Sequence, residues 1–332
     1  LQVGDETFNS LDDAIAAVET EGKIILLKDA EITTASIIPN TKTIEFDFNG
    51  NTLKNTQAIT NQGSLTLTDS IGEGSLVATK TNALFNQGNI TLDNISIKAN
   101  GSIVNGNAGT GTITLQNNPT LDGTIGVYVT TGQTINVLNA TINASNSGIY
   151  LQSANSKLTI EDGYIQGASN GVYSCGENNV LTVNGGEIKA TNGIGLRDDC
   201  SKNTSRRSTV TVNGGTITGT TYGAHLYYSI GNFSNTEIKT TSTNRDYYAL
   251  ACQDYTPCTV NEGTIINAPN ASGVHITGGI YLNGGEIYAG ASNAYGIYAY
   301  CTNIELNSGI INVPGNAAYG IMADRNEMLI NI

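Results

Sequence analysis

The residues able to do acid–base or ion-binding chemistry gather in two stretches of this chain. The first, Arg197-Asp-Asp-Cys-Ser-Lys-Asn-Thr-Ser-Arg-Arg207, carries Arg197, Asp198, Asp199, Lys202, Arg206 and Arg207. The second, Gln253-Asp-Tyr-Thr-Pro257, carries Asp254 and Tyr255. Two carboxylates at one site could divide acid and base work on a glycosidic bond. A carboxylate set could instead hold calcium while an arginine takes a proton, as in a lyase. The plainer reading is a pair of solvated loops whose charges neutralise one another. Five cysteines accompany these stretches: Cys175, Cys200, Cys252, Cys258 and Cys301. They contain no Cys-x-x-Cys, so a zinc site is not expected. Cys252–Cys258 and Cys175–Cys200 are the candidate disulfides, leaving Cys301 over, and stacked free thiols are the alternative. No metal or cofactor is expected; calcium enters only under the lyase reading.

The elements that must position these residues are repeats. A Gly-x-x-x step recurs as Gly126-Val-Tyr-Val, Gly148-Ile-Tyr-Leu, Gly171-Val-Tyr-Ser, Gly193-Ile-Gly-Leu and Gly223-Ala-His-Leu. It blurs at Tyr248-Ala-Leu-Ala and returns at Gly273-Val-His-Ile, Gly296-Ile-Tyr-Ala and Gly320-Ile-Met-Ala. A second segment keeps step, with its first apolar residue at Ile90, Ile113, Ile135, Leu158 and Leu181, spaced 23, 22, 23 and 23 residues apart. It continues through Val210, Gly231, Cys258, Ile280 and Ile304, and earlier markers fall at Ile24, Ile44 and Leu65. Such self-similarity means one unit stacked many times. Within a repeat the apolar period is two, the period of a strand with one buried face. Short strands separated by Gly, Asn and Ser turns predict an all-β parallel β-helix of about 12 rungs of 20–24 residues. A leucine-rich repeat has a similar period but needs a leucine-dense consensus that is missing.

This frame places a column of side chains on the outside. Alternation puts Ile149 and Leu151 inward and Tyr150 outward. The same slot then holds Tyr128, Tyr150, Tyr173, Gly195, His225, Leu250, His275, Tyr298 and Met322. Both histidines of the chain fall in it, which argues for ladder packing over catalysis. Stacked side chains stabilise a sheet. The second reading is a sugar-binding face, because aromatic rings join an apolar plane to a polar edge. Tyr222, Tyr295 and Tyr319 could add to it. Another column, Asn184, Asn213, Asn261, Asn283 and Asn307, is expected to form an amide ladder and to adopt the left-handed turn conformation that Asn tolerates.

At the N-terminus, Ser10-Leu-Asp-Asp13 followed by Ala14-Ile-Ala-Ala-Val18 predicts a short capping helix. Ser10 starts it, Asp13 reciprocates and Gly22 ends it. Leu11, Ile15 and Val18 share one face, which would cover the open end of the stack. Residues 1–22 are therefore expected to form an N-terminal strand and cap, and 23–332 the β-helix. Glu327-Met-Leu-Ile-Asn-Ile332 reads as an interrupted strand, so the β-helix is expected to continue past it, as a monomeric domain of a longer chain. A net charge of −13 argues against nucleic acid and anionic membranes as partners. No run of residues is long and apolar enough for membrane insertion.

Family comparison narrows the expectations. Coils of 22–24 residues with variable turns resemble the right-handed, pectin-lyase-like β-helices. Polygalacturonase-like hydrolases carry Asn-Thr-Asp, Asp-Asp, Gly-His-Gly and Arg-Ile-Lys in order, and only Asp198-Asp199 matches. Pectate lyases place several Asp and Arg on successive rungs, a column missing here. The calcium nonapeptide of RTX proteins is missing too. The opening, Val3-Gly-Asp-Glu-Thr-Phe-Asn-Ser-Leu-Asp-Asp-Ala-Ile-Ala-Ala, then Ile24-Ile-Leu-Leu-Lys-Asp and Ile44-Glu-Phe-Asp-Phe-Asn-Gly-Asn-Thr-Leu53, resembles bacterial cell-surface proteins with pectin-lyase-like repeats. That resemblance implies an extracellular or surface-anchored, adhesin-like module that contacts a polysaccharide, a cell-surface glycan or a protein without catalysis. Two alternatives stay open. One is a polysaccharide lyase or glycosidase acting through Arg197, Asp198, Asp199 and Asp254. The other is a passive stalk.

Overall fold

The computed structural model describes residues 1–200, 205–300 and 303–324, and the backbone of 329–331. The chain is an all-β parallel solenoid of about 13 turns, of the right-handed type. It divides into two units, Leu1–Leu158 and Thr159–Ile332.

In the first unit the repeat frame becomes strand register. Ile44 pairs with Leu65, Leu65 with Ile90, Ile90 with Ile113 and Ile113 with Ile135, all in parallel. These residues are almost wholly buried, so each rung stacks an aliphatic side chain on the last. The marker at Ile24 is two residues off, because Gly22 is the partner of Ile44 and Ile24 pairs with Phe46. Ile149 and Leu151 are fully buried, with Tyr150 between them on the outer face beside Tyr128.

The recurring glycine has a steric cause. A Cβ at Gly126 would stand 2.3 Å from Ile142 Cγ2 and 2.6 Å from the carbonyl oxygen of Gly148. At Gly273 a Cβ would stand 2.6 Å from the carbonyl oxygen of Gly296. The motif marks where one rung's backbone lies against the next, closer than any side chain allows.

The cap helix spans Leu11–Ala17, with Leu11, Ala14 and Ile15 buried beneath it. Ser10 accepts a hydrogen bond from the Asp13 amide at 3.1 Å and its hydroxyl donates to the Asp13 carboxylate at 2.7 Å. The helix ends at Val18. Gly22 lies inside the strand Glu21–Ile25, so it does not terminate the helix. The stop comes from Lys42, whose ammonium donates to the carbonyls of Ile15, Ala16 and Val18. These are among the groups that a helix C-terminus leaves without internal partners, and a cation is favoured there.

In the second unit the register runs Leu181, Val210, Gly231, Cys258, Ile280 and Ile304, as the sequence frame has it. The asparagine ladder forms. Asn213 donates to Asn184 at 2.9 Å, Asn283 to Asn261 at 3.3 Å and Asn307 to Asn283 at 2.8 Å. Ser234 interrupts it and accepts from Asn261 at 3.2 Å. The left-handed conformation does not fall on these asparagines. It falls two residues later, at Gly186, Gly215, Gly263, Gly285 and Gly309, where glycine meets no Cβ penalty. The ladder amides therefore stay extended and aligned.

Candidate functional site

The second unit gathers most of the chemistry-bearing side chains on one outer column. Parallel register sets Tyr173 beside Arg197, Arg197 beside His225, His225 beside Ala251, Ala251 beside His275, His275 beside Tyr298 and Tyr298 beside Met322. Two slots differ from the sequence frame. Gly195, not Gly193, is the motif glycine of its rung, since a Cβ there would meet the Gly223 carbonyl oxygen at 2.6 Å. The frame moves by two, and Arg197 replaces Gly195 in the slot. Likewise Tyr248 pairs with Ser272, so the frame at that rung moves by one and Ala251 replaces Leu250. The duplicated glycine in Gly193-Ile-Gly195 was the signal that could have revealed the shift.

The correction joins the two candidate regions. Arg197 belongs to the strand Ile194–Asp199 and not to a loop. Its guanidinium lies over the Tyr173 ring, 4.9 Å from the centroid, within the range of a cation–π contact. It also donates to Asp199 at 2.8 Å. One rung on, His225 is stacked on Tyr222 at 4.6 Å and meets Tyr227 in a tilted contact at 4.4 Å between centroids. Ala251 is too small to continue the stack, and Gln253 spans the gap. Its Oε1 is 2.9 Å from His225 Nε2, and its Nε2 is 2.7 Å from His275 Nδ1. His275 then packs on Tyr248 at 5.0 Å and Tyr298 at 5.3 Å. Tyr295 contacts Tyr298 and Tyr319, and the Tyr298 hydroxyl donates to Asp324 at 2.8 Å.

Burial shapes the electrostatics of this column. It lowers the His225 pKa to about 4, against a smaller opposing effect of the Gln253 hydrogen bond. His275 is lowered for the same reason. Both imidazoles are thus neutral at pH 7. With Nε2 of His225 donating to the Gln253 oxygen, its Nδ1 is an acceptor. Burial raises the phenols of Tyr222 and Tyr227, and the Asp254 and Asp199 carboxylates push Tyr227 further. Because the rings face one another, they present edges outward, and the imidazole nitrogens His225 Nε2 and His275 Nδ1 are engaged by Gln253 within the column. The flat apolar platform expected for sugar stacking is largely used up in ring–ring contact.

The expected carboxylate pair is not formed. Asp198 and Asp199 are consecutive strand residues, so they point to opposite faces. Asp198 is fully buried inside the coil, in register with Ser174 and Leu226. Its Oδ2 accepts from the Ser229 hydroxyl. Ser174 stands beside it, but Oδ1 is left without a full hydrogen bond. Burial raises the Asp198 pKa to about 7, more than Ser174 and Ser229 draw it back. A residue with no accessible surface cannot touch a polysaccharide.

The remaining candidates scatter. Arg206 pairs with Glu177 at 3.2 Å, Arg207 is half-buried, and Lys202 lies outside the described residues. Asp254 and Tyr255 occupy a left-handed turn closed by the Cys252–Cys258 disulfide. Tyr255 is 67% exposed there. The second expected disulfide, Cys175–Cys200, is not formed, for Cys200 keeps a free thiol. Cys200 points into the coil and bonds the Arg206 carbonyl. Cys301 lies outside the described residues. Among the described residues, no group of three or more His, Cys, Asp or Glu could hold a metal ion. No described helix is long and apolar enough to cross a membrane.

No protein-family model matches the chain, and neither the curated proteins nor the solved structures include a match. Function must therefore be argued from the column itself. Sequence reasoning missed two of its members. In sequence, Gln253 is only the first residue of the Gln253–Pro257 stretch, and Tyr227 lies outside every motif. Gln253 acts across rungs, so no spacing within a repeat marks it, whereas Tyr227 packs on His225 from the same strand and its i, i+2 spacing was the available signal.

Proposed function

We propose that this protein is a non-catalytic glycan-contacting module of adhesin type, whose contact surface is the outer column of the second unit. The observation that carries this reading is the continuous run Tyr173–Arg197–His225–Gln253–His275–Tyr298. It sets aromatic edges and amide and guanidinium groups at regular intervals of about 4.8 Å. Carbohydrate recognition needs such placed polar groups beside apolar surface. Against catalysis stands the fate of the carboxylates: Asp198 is enclosed, and Asp199 is engaged by Arg197. An extracellular or cell-surface setting is supported by the Cys252–Cys258 disulfide, which suits an oxidising compartment. The likeness of the N-terminal stretch to bacterial surface proteins favours the same setting.

The test is a binding and turnover panel of plant, host and microbial polysaccharides, with and without calcium. Retardation in affinity gels without product, weakened by Tyr298→Ala and Gln253→Ala but not by Thr114→Ala in the first unit, is the expected result. Product formation would establish an enzyme instead. No retardation by any glycan would leave a passive stalk.

A further inference from the structure

One edge of the second unit departs from the turn chemistry used elsewhere in the chain. Among the described residues, twelve non-glycine residues adopt a positive φ, and eight of them are asparagine. Three of the other four are Tyr228 at φ 51°, Asp254 at φ 51° and Tyr255 at φ 62°. For a bulky side chain this conformation is an outlier, and such strain gathers at sites that hold ligands. A turn needed only for folding would be served by asparagine, as at the other eight. The surroundings fix this one firmly. The Cys252–Cys258 disulfide closes it, the buried Thr256 hydroxyl donates to the Gln253 carbonyl at 2.5 Å, and the Asp254 amide donates to Thr277 Oγ1 at 2.5 Å. The strain displays side chains instead of burying them. Tyr255 is 67% exposed, and its ring lies 6.2 Å from that of Tyr228, with 38° between the planes. Asp254 is exposed, and its carboxylate makes no hydrogen bond or ion pair among the described residues.

Resting on the glycan-contact reading, we propose that Tyr255 and Tyr228 form the stacking platform of that surface, and that its ligand is a glycan without acidic groups. The outer column lacks such a platform because its own rings face one another. The turn adjoins the column on both rungs. Gln253, which bridges the two histidines, directly precedes Asp254, and Tyr227, packed on His225, directly precedes Tyr228. A pyranose carries C–H groups on its faces and hydroxyls around its rim. The C–H face fits an exposed aromatic plane, and the rim needs placed polar groups beside it. The Asp254 carboxylate can only accept, so it takes a hydrogen bond from a sugar hydroxyl and repels a uronate or a sulfate. The arginine on this face, Arg197, is already paired with Asp199 at 2.8 Å.

The test is calorimetric titration of the full chain with oligosaccharides of xylan, mannan and β-glucan and with oligogalacturonate. Tyr255→Asn and Tyr228→Asn remove the rings but install a residue that tolerates the left-handed conformation, so the turn is kept. Each should weaken neutral-glycan binding about five- to tenfold, the scale of one ring contact. Their Tm should be unchanged or raised, because asparagine is less strained there. Asp254→Asn also keeps the turn and should admit oligogalacturonate, which the wild type refuses; a purely structural role would not move this selectivity. Neutral-glycan binding that both tyrosine variants retain in full would overturn the platform and leave glycan contact with the outer column. Oligogalacturonate bound by the wild type as tightly as the neutral glycans would overturn the ligand class, as would a selectivity that Asp254→Asn leaves unmoved. Binding to none of the four would overturn this proposal and the reading beneath it.

Discussion

Asp198 makes stability depend on pH in a direction opposite to that of most carboxylates. Its pKa is raised to about 7 inside the coil, against about 3.9 in an unfolded chain. Below pH 4 the group is protonated in both states and costs nothing. Between pH 4 and 7 the unfolded chain releases its proton while the folded chain keeps it. The unfolded state gains by that release, so folding stability falls as pH rises through this window, and the loss is complete just above pH 7. With one proton at stake the slope is about 1.4 kcal/mol per pH unit. Over about three units the total is roughly 4 kcal/mol, an upper figure for a site that can relax. Asp198→Asn preserves shape and removes the titration. Urea unfolding of both proteins from pH 4 to pH 8 isolates the effect, because the other acidic residues titrate alike in the two. The variant should gain on the wild type by 2–4 kcal/mol across the window, on the scale set by the linkage relation. A difference that stays flat, or that favours the wild type at pH 8, would show that Asp198 is ionised and solvated, and the inward assignment would fail.

Three further outcomes follow from the packing. Ile149→Asp places an unpaired charge at a fully buried rung position and should cost about 4 kcal/mol or more; an unchanged Tm would refute the inside–outside frame. Asn283→Ala removes the bonds to Asn261 and Asn307 and should cost about 1–2 kcal/mol in urea melts; a neutral result would show that solvent replaces the ladder. Reducing Cys252–Cys258, which closes a loop with a sequence separation of 6, should lower stability by roughly 2 kcal/mol on chain-entropy grounds. The same reductant should leave a Cys252→Ser/Cys258→Ser variant unmoved.

Much of the fold was legible because a solenoid repeats its physics. Every rung must bury the same face against the same neighbours, so the period of two and the recurring glycine appear many times. Local errors average out: the marker at Ile24 is misplaced by two residues, yet the register from Ile44 to Ile135 holds. The helix start was legible because Ser10 and Asp13 act within one turn. Its end was not, since the stop comes from Lys42, 24 residues beyond Val18. The asparagine ladder was visible as spacing, but the left-handed turn moved to the following glycine, where the backbone strain is least.

The sequence by itself determined the parallel coil, the inward aliphatic stack and the start of the cap helix, all set by short-range alternation or proximity, while the choice between a Cys252–Cys258 disulfide and free thiols was left to the structure. Only the tertiary structure decided where the chemistry lies. A one-residue change of phase sends a side chain to the opposite face, and rungs of unequal length hide the phase. Asp198 and Asp199 look like a pair in sequence and are separated by the wall of the coil. Arg197, His225 and Gln253 are 28 residues apart in successive steps and form one surface. Their meeting is a property of parallel stacking, in which neighbours are set by register and not by distance along the chain.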